Sequence, residues 1–222
     1  MTIEIIPAIL ASSRAAFKRK LQLMEGVAPA VQVDIMDGKL VPNETWHEAG
    51  DVAAWKYHFR YELHLMVEDP IPEIERWKSV RGFTRAIIHA EAPIRITQAL
   101  NWIQDHGLEA GLAISPGTSL AAVEQHLKRV DMALVMGGKP GFSGQRHNPK
   151  RLDVVRNIRK RYPNLPIGFD IGVNARTVPA LVAAGATRLC AASAIFQNRS
   201  PKLAYKKLLA AARDANANAP DA

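Results

Sequence analysis

The chain has 222 residues, 48% of them hydrophobic and 23% charged, enough for one globular domain with a sizeable core. It contains no apolar run near the roughly 18 residues of a membrane span, no basic-then-apolar leader at Met1-Thr2-Ile3-Glu4, and one cysteine, Cys190. These features exclude a membrane-spanning helix and an internal disulfide, and they predict a cytoplasmic protein; the net charge of +8 raises nucleic acid and phosphorylated metabolites as partners.

Apolar, strand-like runs recur along the chain with helical stretches between them. They fall at Ile3–Leu10, Ala30–Met36, Tyr61–Met66, Arg85–His89, Glu109–Ile114, Met132–Met136, Pro166–Asp170 and Thr187–Ala192. Near-continuous apolar runs of this length read as strands buried on both faces. A helix is predicted from about Ser13 to Met24, and further helix starts at Thr118/Ser119 and at Asn174. Gly107 and Gly185 fall where helices end. The basic cluster Lys150, Arg151, Arg156, Arg159, Lys160 and Arg161 reads as the solvated face of a helix whose apolar side is Leu152, Val155 and Ile158. Eight such units in this length predict a single-domain α/β fold, a (β/α)₈ TIM barrel over residues 1–214, with a frayed tail at 215–222. An open doubly wound sheet is the alternative.

In a parallel barrel, polar residues at the C-terminal ends of strands converge on one mouth. Those ends supply Asp34, His64, His89 with Glu91, Ser115 and Asp170. Asp34 closes the apolar run Val31–Ile35 beside a glycine turn and reads as a catalytic carboxylate, whereas Asp37 reads as the residue that orders the turn. Three stretches read as phosphate cradles: Lys139-Pro140-Gly141-Phe142-Ser143-Gly144-Gln145, Asp170-Ile171-Gly172-Val173-Asn174, and Ala192-Ser193. Glycines let backbone N–H groups approach an anion, and a helix N-terminus favours negative charge.

These residues carry a resemblance from end to end. Pro7-Ala8-Ile9-Leu10, Val33-Asp34-Ile35-Met36-Asp37-Gly38, His64-Leu65-Met66-Val67, His89-Ala90-Glu91-Ala92, Pro140-Gly141-Phe142-Ser143-Gly144-Gln145 and Ser193-Ala194-Ile195-Phe196 resemble the ribulose-phosphate 3-epimerase family. The resemblance implies inversion at C3 of a ketopentose 5-phosphate, in pentose phosphate metabolism, by two carboxylates that alternate as base and acid. Asp34 and Asp170 match that pair. It also implies a divalent metal (zinc, iron or manganese) as Lewis acid, with His64, Asp34 and Asp170 as ligands and Gln32 where the family has a second histidine. Met36, Met66 and Met136 match residues that surround the intermediate. Substrate and phosphate contacts fall on His64, Gly141, Phe142, Ser143, Gly144, Gly172, Ala192 and Ser193.

Gln32 offers a neutral amide, a poorer ligand than imidazole for zinc or iron. Ala8 stands where the family has a serine, Ile171 where it has a glycine, and Ala192 replaces the first residue of a Gly-Ser pair. Two other readings accommodate these departures: an epimerase of a different ketose phosphate, and a catalytically silent phosphosugar-binding protein. A decarboxylase-type barrel is disfavoured, because Met36 stands where its Asp-x-Lys motif requires lysine. Trp46, Trp55, Trp77 and Trp102 are scattered away from the basic cluster and read as core or interface residues, so no nucleic-acid partner is expected. The expected partners are a phosphorylated ketose and further copies of the chain in a homo-oligomer, with no membrane.

Overall fold

The computed structural model describes residues 2–218. Eight strands, β1 (Glu4–Ile9), β2 (Ala30–Met36), β3 (Arg60–Met66), β4 (Phe83–His89), β5 (Glu109–Ile114), β6 (Met132–Met136), β7 (Ile167–Asp170) and β8 (Arg188–Ala191), close in sequence order into a parallel barrel. Between them run α1 (Arg14–Met24), α2 (Ala49–Trp55), α3 (Ile71–Trp77), α4 (Ile96–Asp105), α5 (Leu120–Leu127), α6 (Arg151–Arg161) and α7 (Val178–Ala183). The short α8 (Ser193–Phe196) and the long α9 (Pro201–Ala217) follow β8. This is the (β/α)₈ TIM barrel, and the open-sheet alternative falls because β1 pairs with β8. No helix among the described residues is long and apolar enough to cross a membrane.

Because strand side chains alternate, each strand sends one set outward to the helices and one inward. The outward set, including Val31, Val33 and Ile35 of β2, packs on helix residues such as Phe17, Leu21 and Ile74 in the larger core. The inward set is layered. Ile87, Ala113 and Leu134 fill the middle, and Gly168 carries no side chain there because a Cβ would lie 2.7 Å from Leu134 and Met132. The lower layer is ionic: buried Glu62 takes Arg85 at 2.8 Å and Arg188 at 2.6 Å, and Arg188 also binds Glu4. The upper layer carries the polar residues at the strand ends.

Ser13 and Ser119 cap α1 and α5, each accepting the N–H three residues on at 3.3 Å. Asn174 behaves differently. Its Oδ1 accepts from Arg176 and Thr177, making a local turn that delays α7 until Val178. The basic cluster also needs correction. Lys150, Arg156, Lys160 and Arg161 are exposed, but Arg151 is buried and donates to the carbonyls of Met136 and Ile114 at 2.9 and 2.7 Å. Arg159 donates to Gly185 O at 2.9 Å and Pro163 O at 2.6 Å. Arg151 thus ties the ends of β5 and β6 to α6, and Arg159 ties two loops to it. At the C-terminus α9 runs through Ala217, with Ala215 packed on the core, so 215–217 of the expected frayed segment are helical; 219–222 lie outside the described residues.

The tryptophans are not isolated. Phe17, Trp46, Trp55, Tyr57, Phe59, Tyr61, Trp77 and Phe83 form a chain of ring contacts with neighbouring centroids 5.0 to 6.5 Å apart. Trp77 is fully buried; Trp46 and Trp55 are half-buried and stacked.

Candidate active site

Register brings the polar strand ends together. β2 and β3 pair Asp34 with His64 and Met36 with Met66; β6 and β7 pair Met136 with Asp170. One cavity at the C-terminal mouth is lined by Asp34, His64 and Asp170, by Met36, Met66 and Met136, by residues 141–144, and by Gly172, Ala192 and Ser193. Every residue that the family resemblance assigns to the site except Gln32 therefore borders one space. Gln32 lies just beneath it, wholly buried.

The centre of the site is a compact polar knot. Gln32 Nε2 donates to Asp34 Oδ1 at 2.8 Å and to Asp170 Oδ2 at 3.1 Å, and it lies 3.4 Å from His64 Nδ1. His64 Nδ1 is 3.1 Å from Asp34 Oδ1 and 3.5 Å from Asp170 Oδ2. The amide orientation follows from its neighbours: two carboxylate oxygens require an N–H, and the Cys190 thiol donates to Oε1 at 3.1 Å on the other side. The nitrogen of Gln32, not its oxygen, faces the carboxylates.

Behind His64, its Nε2 lies 2.9 Å from Nε2 of His89, whose Nδ1 lies 2.9 Å from Glu91. Burial disfavours a charged His64, but the hydrogen bond and charge of Asp34, with Asp170, outweigh it and raise the imidazole's pKa. Burial lowers that of His89, with His64 adding to the effect against Glu91. The two directions favour the shared proton on His64, so that its Nε2 donates to Nε2 of His89 while His89 Nδ1 donates to Glu91. Burial acts to raise the pKa of Glu91, yet hydrogen bonds from His89, Thr118 and the Ser115 backbone hold it at about 2. His89, Glu91 and Ser115 thus converge on the mouth as expected, one step behind the cavity, where they fix the His64 ring.

Asp170 has the most altered carboxyl. Burial and the charge of Asp34 push it up to about 6, against the opposing effects of His64, Gln32 and the Ile171 N–H. That N–H donates to Asp170 Oδ1 at 2.7 Å, and just after it the chain turns through the left-handed region, with Ile171 at φ +74° and Gly172 at φ +80°.

A metal is tested by the donor set itself. One ligand atom each from Asp34, His64 and Asp170 lies within 4.8 Å of the others. Bonds of about 2.0–2.1 Å to a tetrahedral ion imply ligand–ligand edges of about 3.3–3.4 Å. The observed 3.1 and 3.5 Å from His64 bracket that range. Three protein donors with an open corner are the usual catalytic set, so these residues fit a divalent ion. Gln32 stands at the fourth corner but presents an N–H there, not a lone pair.

Cys190 was overlooked as a site residue, although register could have found it: it pairs with Asp170 and so faces the barrel interior. Leu10 and Val173 complete the cavity wall, and no sequence motif marks them.

Known proteins place the chain. A family described as Ribulose-phosphate 3 epimerase matches residues 4–196. The chain is 35% identical to a ribulose-phosphate 3-epimerase of Rhodobacter capsulatus, over 96% of each. It is 29% identical to that of Bacillus subtilis, over 93% of this chain and 98% of the other. Among solved structures, a 3-hexulose-6-phosphate synthase from Salmonella typhimurium superposes with TM-score 0.73 at 13% identity, over 96% of this chain and all (100%) of that one, which is a likeness of fold. The chain belongs to the ribulose-phosphate 3-epimerase family and is an enzyme of the isomerase class.

Proposed function

We propose that the protein interconverts D-ribulose 5-phosphate and D-xylulose 5-phosphate by proton transfer at C3. The reading rests chiefly on Asp34 and Asp170, two buried carboxylates joined through the Gln32 amide and bordering one cavity. One carboxylate takes the C3 proton, and the C–H electrons move to the C2 carbonyl oxygen, giving an ene-diolate. The other, protonated beforehand, returns a proton to the opposite face. The shared environment favours this division: mutual repulsion keeps a proton on one carboxylate of the pair while the other is ionised.

Met36, Met66 and Met136 exclude water from the carbanionic carbon. Backbone N–H groups of residues 141–144, Gly172 and Ser193 hold the phosphate. Asp34, His64 and Asp170 would hold a divalent ion, which when bound supplies Lewis-acid stabilisation of the ene-diolate oxygens. Gln32 contributes an N–H that bridges the two carboxylates in place of a fourth ligand. The buried thiol fits a reducing cytoplasm, and we infer a homo-oligomer from the resemblance.

The test is exchange of the C3 hydrogen of D-ribulose 5-phosphate in heavy water. The wild type should exchange it, and Asp170→Asn should slow exchange by about 10²–10⁴-fold. The N–H at the fourth corner favours one competing reading, a silent phosphosugar binder; binding without any exchange, with or without added zinc, would establish that instead.

A further inference from the structure

We propose that a cleft at the N-terminal end of the barrel, opposite the catalytic mouth, is a second anion site that takes a phosphate dianion, free or carried on a small metabolite. Glu4, Arg60 and Arg188 open β1, β3 and β8, so they gather at that end. With Arg85 of β4 and Arg159 of α6 they border a cleft of about 360 Å³. Small-molecule sites occupy about 300–1,000 Å³, so the space suits a compact ligand. Four arginines border it, and Glu4 is the one carboxylate among the described residues that line it.

An ionic plug that only closed the barrel would balance its charges, and this one does not. Glu4 accepts from Arg60 at 2.8 Å and is shared with Arg188. Glu62 is shared between Arg85 and Arg188, and Glu109 serves Arg85. Three carboxylates therefore meet four guanidinium groups. The surplus charge sits on Arg159, whose hydrogen bonds all go to neutral carbonyls, those of Gly185, Tyr162 and Pro163. Burial depresses its pKa, and no carboxylate opposes that effect. Acceptors are short as well as charge. Arg188 is 6% exposed, and its Nε, like that of Arg85, is buried without a hydrogen-bond partner. Leaving a buried donor unsatisfied is costly. A phosphate dianion brings negative charge together with oxygens spaced for the planar fork of arginine.

Calorimetric titration with inorganic phosphate at low salt tests this. The epimerase reading puts one phosphate at the mouth, so the wild type should bind two. Ser193→Asp sets a like charge in the upper cradle and should leave one. In that background Arg60→Gln, and separately Arg159→Gln, should weaken the remaining site by about tenfold or more. Arg60 is exposed and far from the mouth, so Arg60→Gln alone should exchange the C3 hydrogen at the wild-type rate. A single wild-type site that Ser193→Asp removes, or a second site that neither arginine variant weakens, overturns the proposal. Should Ser193→Asp fail to fold, Arg60→Gln decides in the wild-type background: one of two sites weakens, or the proposal fails. Glycerol 3-phosphate identifies the source. Tighter binding than inorganic phosphate at this site marks a phosphate ester, equal or weaker binding marks the free ion, and either upholds the site. One wild-type site that Ser193→Asp spares and Arg60→Gln weakens would uphold the lower site while counting against a phosphate at the mouth, so the two readings fail separately.

Discussion

At Asp170, burial and the negative charge of Asp34 act in one direction, and only His64, Gln32 and the Ile171 N–H oppose them. The raised value, about 6, has two consequences of the same sign. The proposed chemistry needs one protonated and one ionised carboxyl, so the rate of C3 exchange should fall as pH rises through about 6, where the pair loses its shared proton, the limb belonging to the carboxylate pair rather than to one residue. Stability moves in the same direction. The folded state holds a proton between the ordinary value of 3.8 and about 6 that the unfolded chain releases, so raising pH through that interval weakens the fold. Gln32 makes a second prediction. Gln32→His replaces an N–H with an imidazole lone pair at the fourth corner and should tighten zinc binding about tenfold or more in a calorimetric titration. Equal affinity would show that this corner takes no part in holding metal. The sequence named Gln32 but could not orient it, because the deciding partner, Cys190, is 158 positions away.

Among the elements, the strands were the most legible. Runs such as Ala30–Met36 and Met132–Met136 coincide with β2 and β6, because burial on both faces leaves little but apolar residues. Helix starts were legible where a serine caps, as at Ser13, and not where a side chain prefers its own turn, as at Asn174. Arg151 was misread for a related reason: its partners are the carbonyls of Met136 and Ile114, which no periodicity reveals. The corner after β7 offers a sharper check on strain. Ile171→Ala and Ile171→Gly lose nearly the same packing, but only glycine relieves the left-handed backbone. A left-handed L-residue costs about 1–2 kcal/mol, and each kcal/mol moves melting by about 2–4 °C in a chain of this size. Ile171→Gly should therefore melt above Ile171→Ala by about 2–8 °C, the reverse of the usual order of these residues. The usual order would remove the strain at this corner.

For the whole molecule, closure between β1 and β8 depends on what fills the lower end of the barrel. Glu62 is 2% exposed and holds both Arg85 and Arg188. Glu62→Ala would leave Arg85 with Glu109 alone and Arg188 with Glu4 alone, and losing the buried charge-assisted hydrogen bonds should cost about 1.5–3 kcal/mol in urea unfolding. A loss under about 1 kcal/mol would mean that water compensates the arginines. The aromatic chain that begins at Phe17 and ends at Phe83 has an optical consequence. All four tryptophans lie between residues 46 and 102, around the first half of the barrel, and none lies beyond β5. Indole emission is thus a private signal of one side of the molecule, whereas far-UV ellipticity averages over all of it. If the two signals trace one unfolding curve, the halves separate together; if emission changes first, the barrel opens on its tryptophan side while β6 to β8 remain folded.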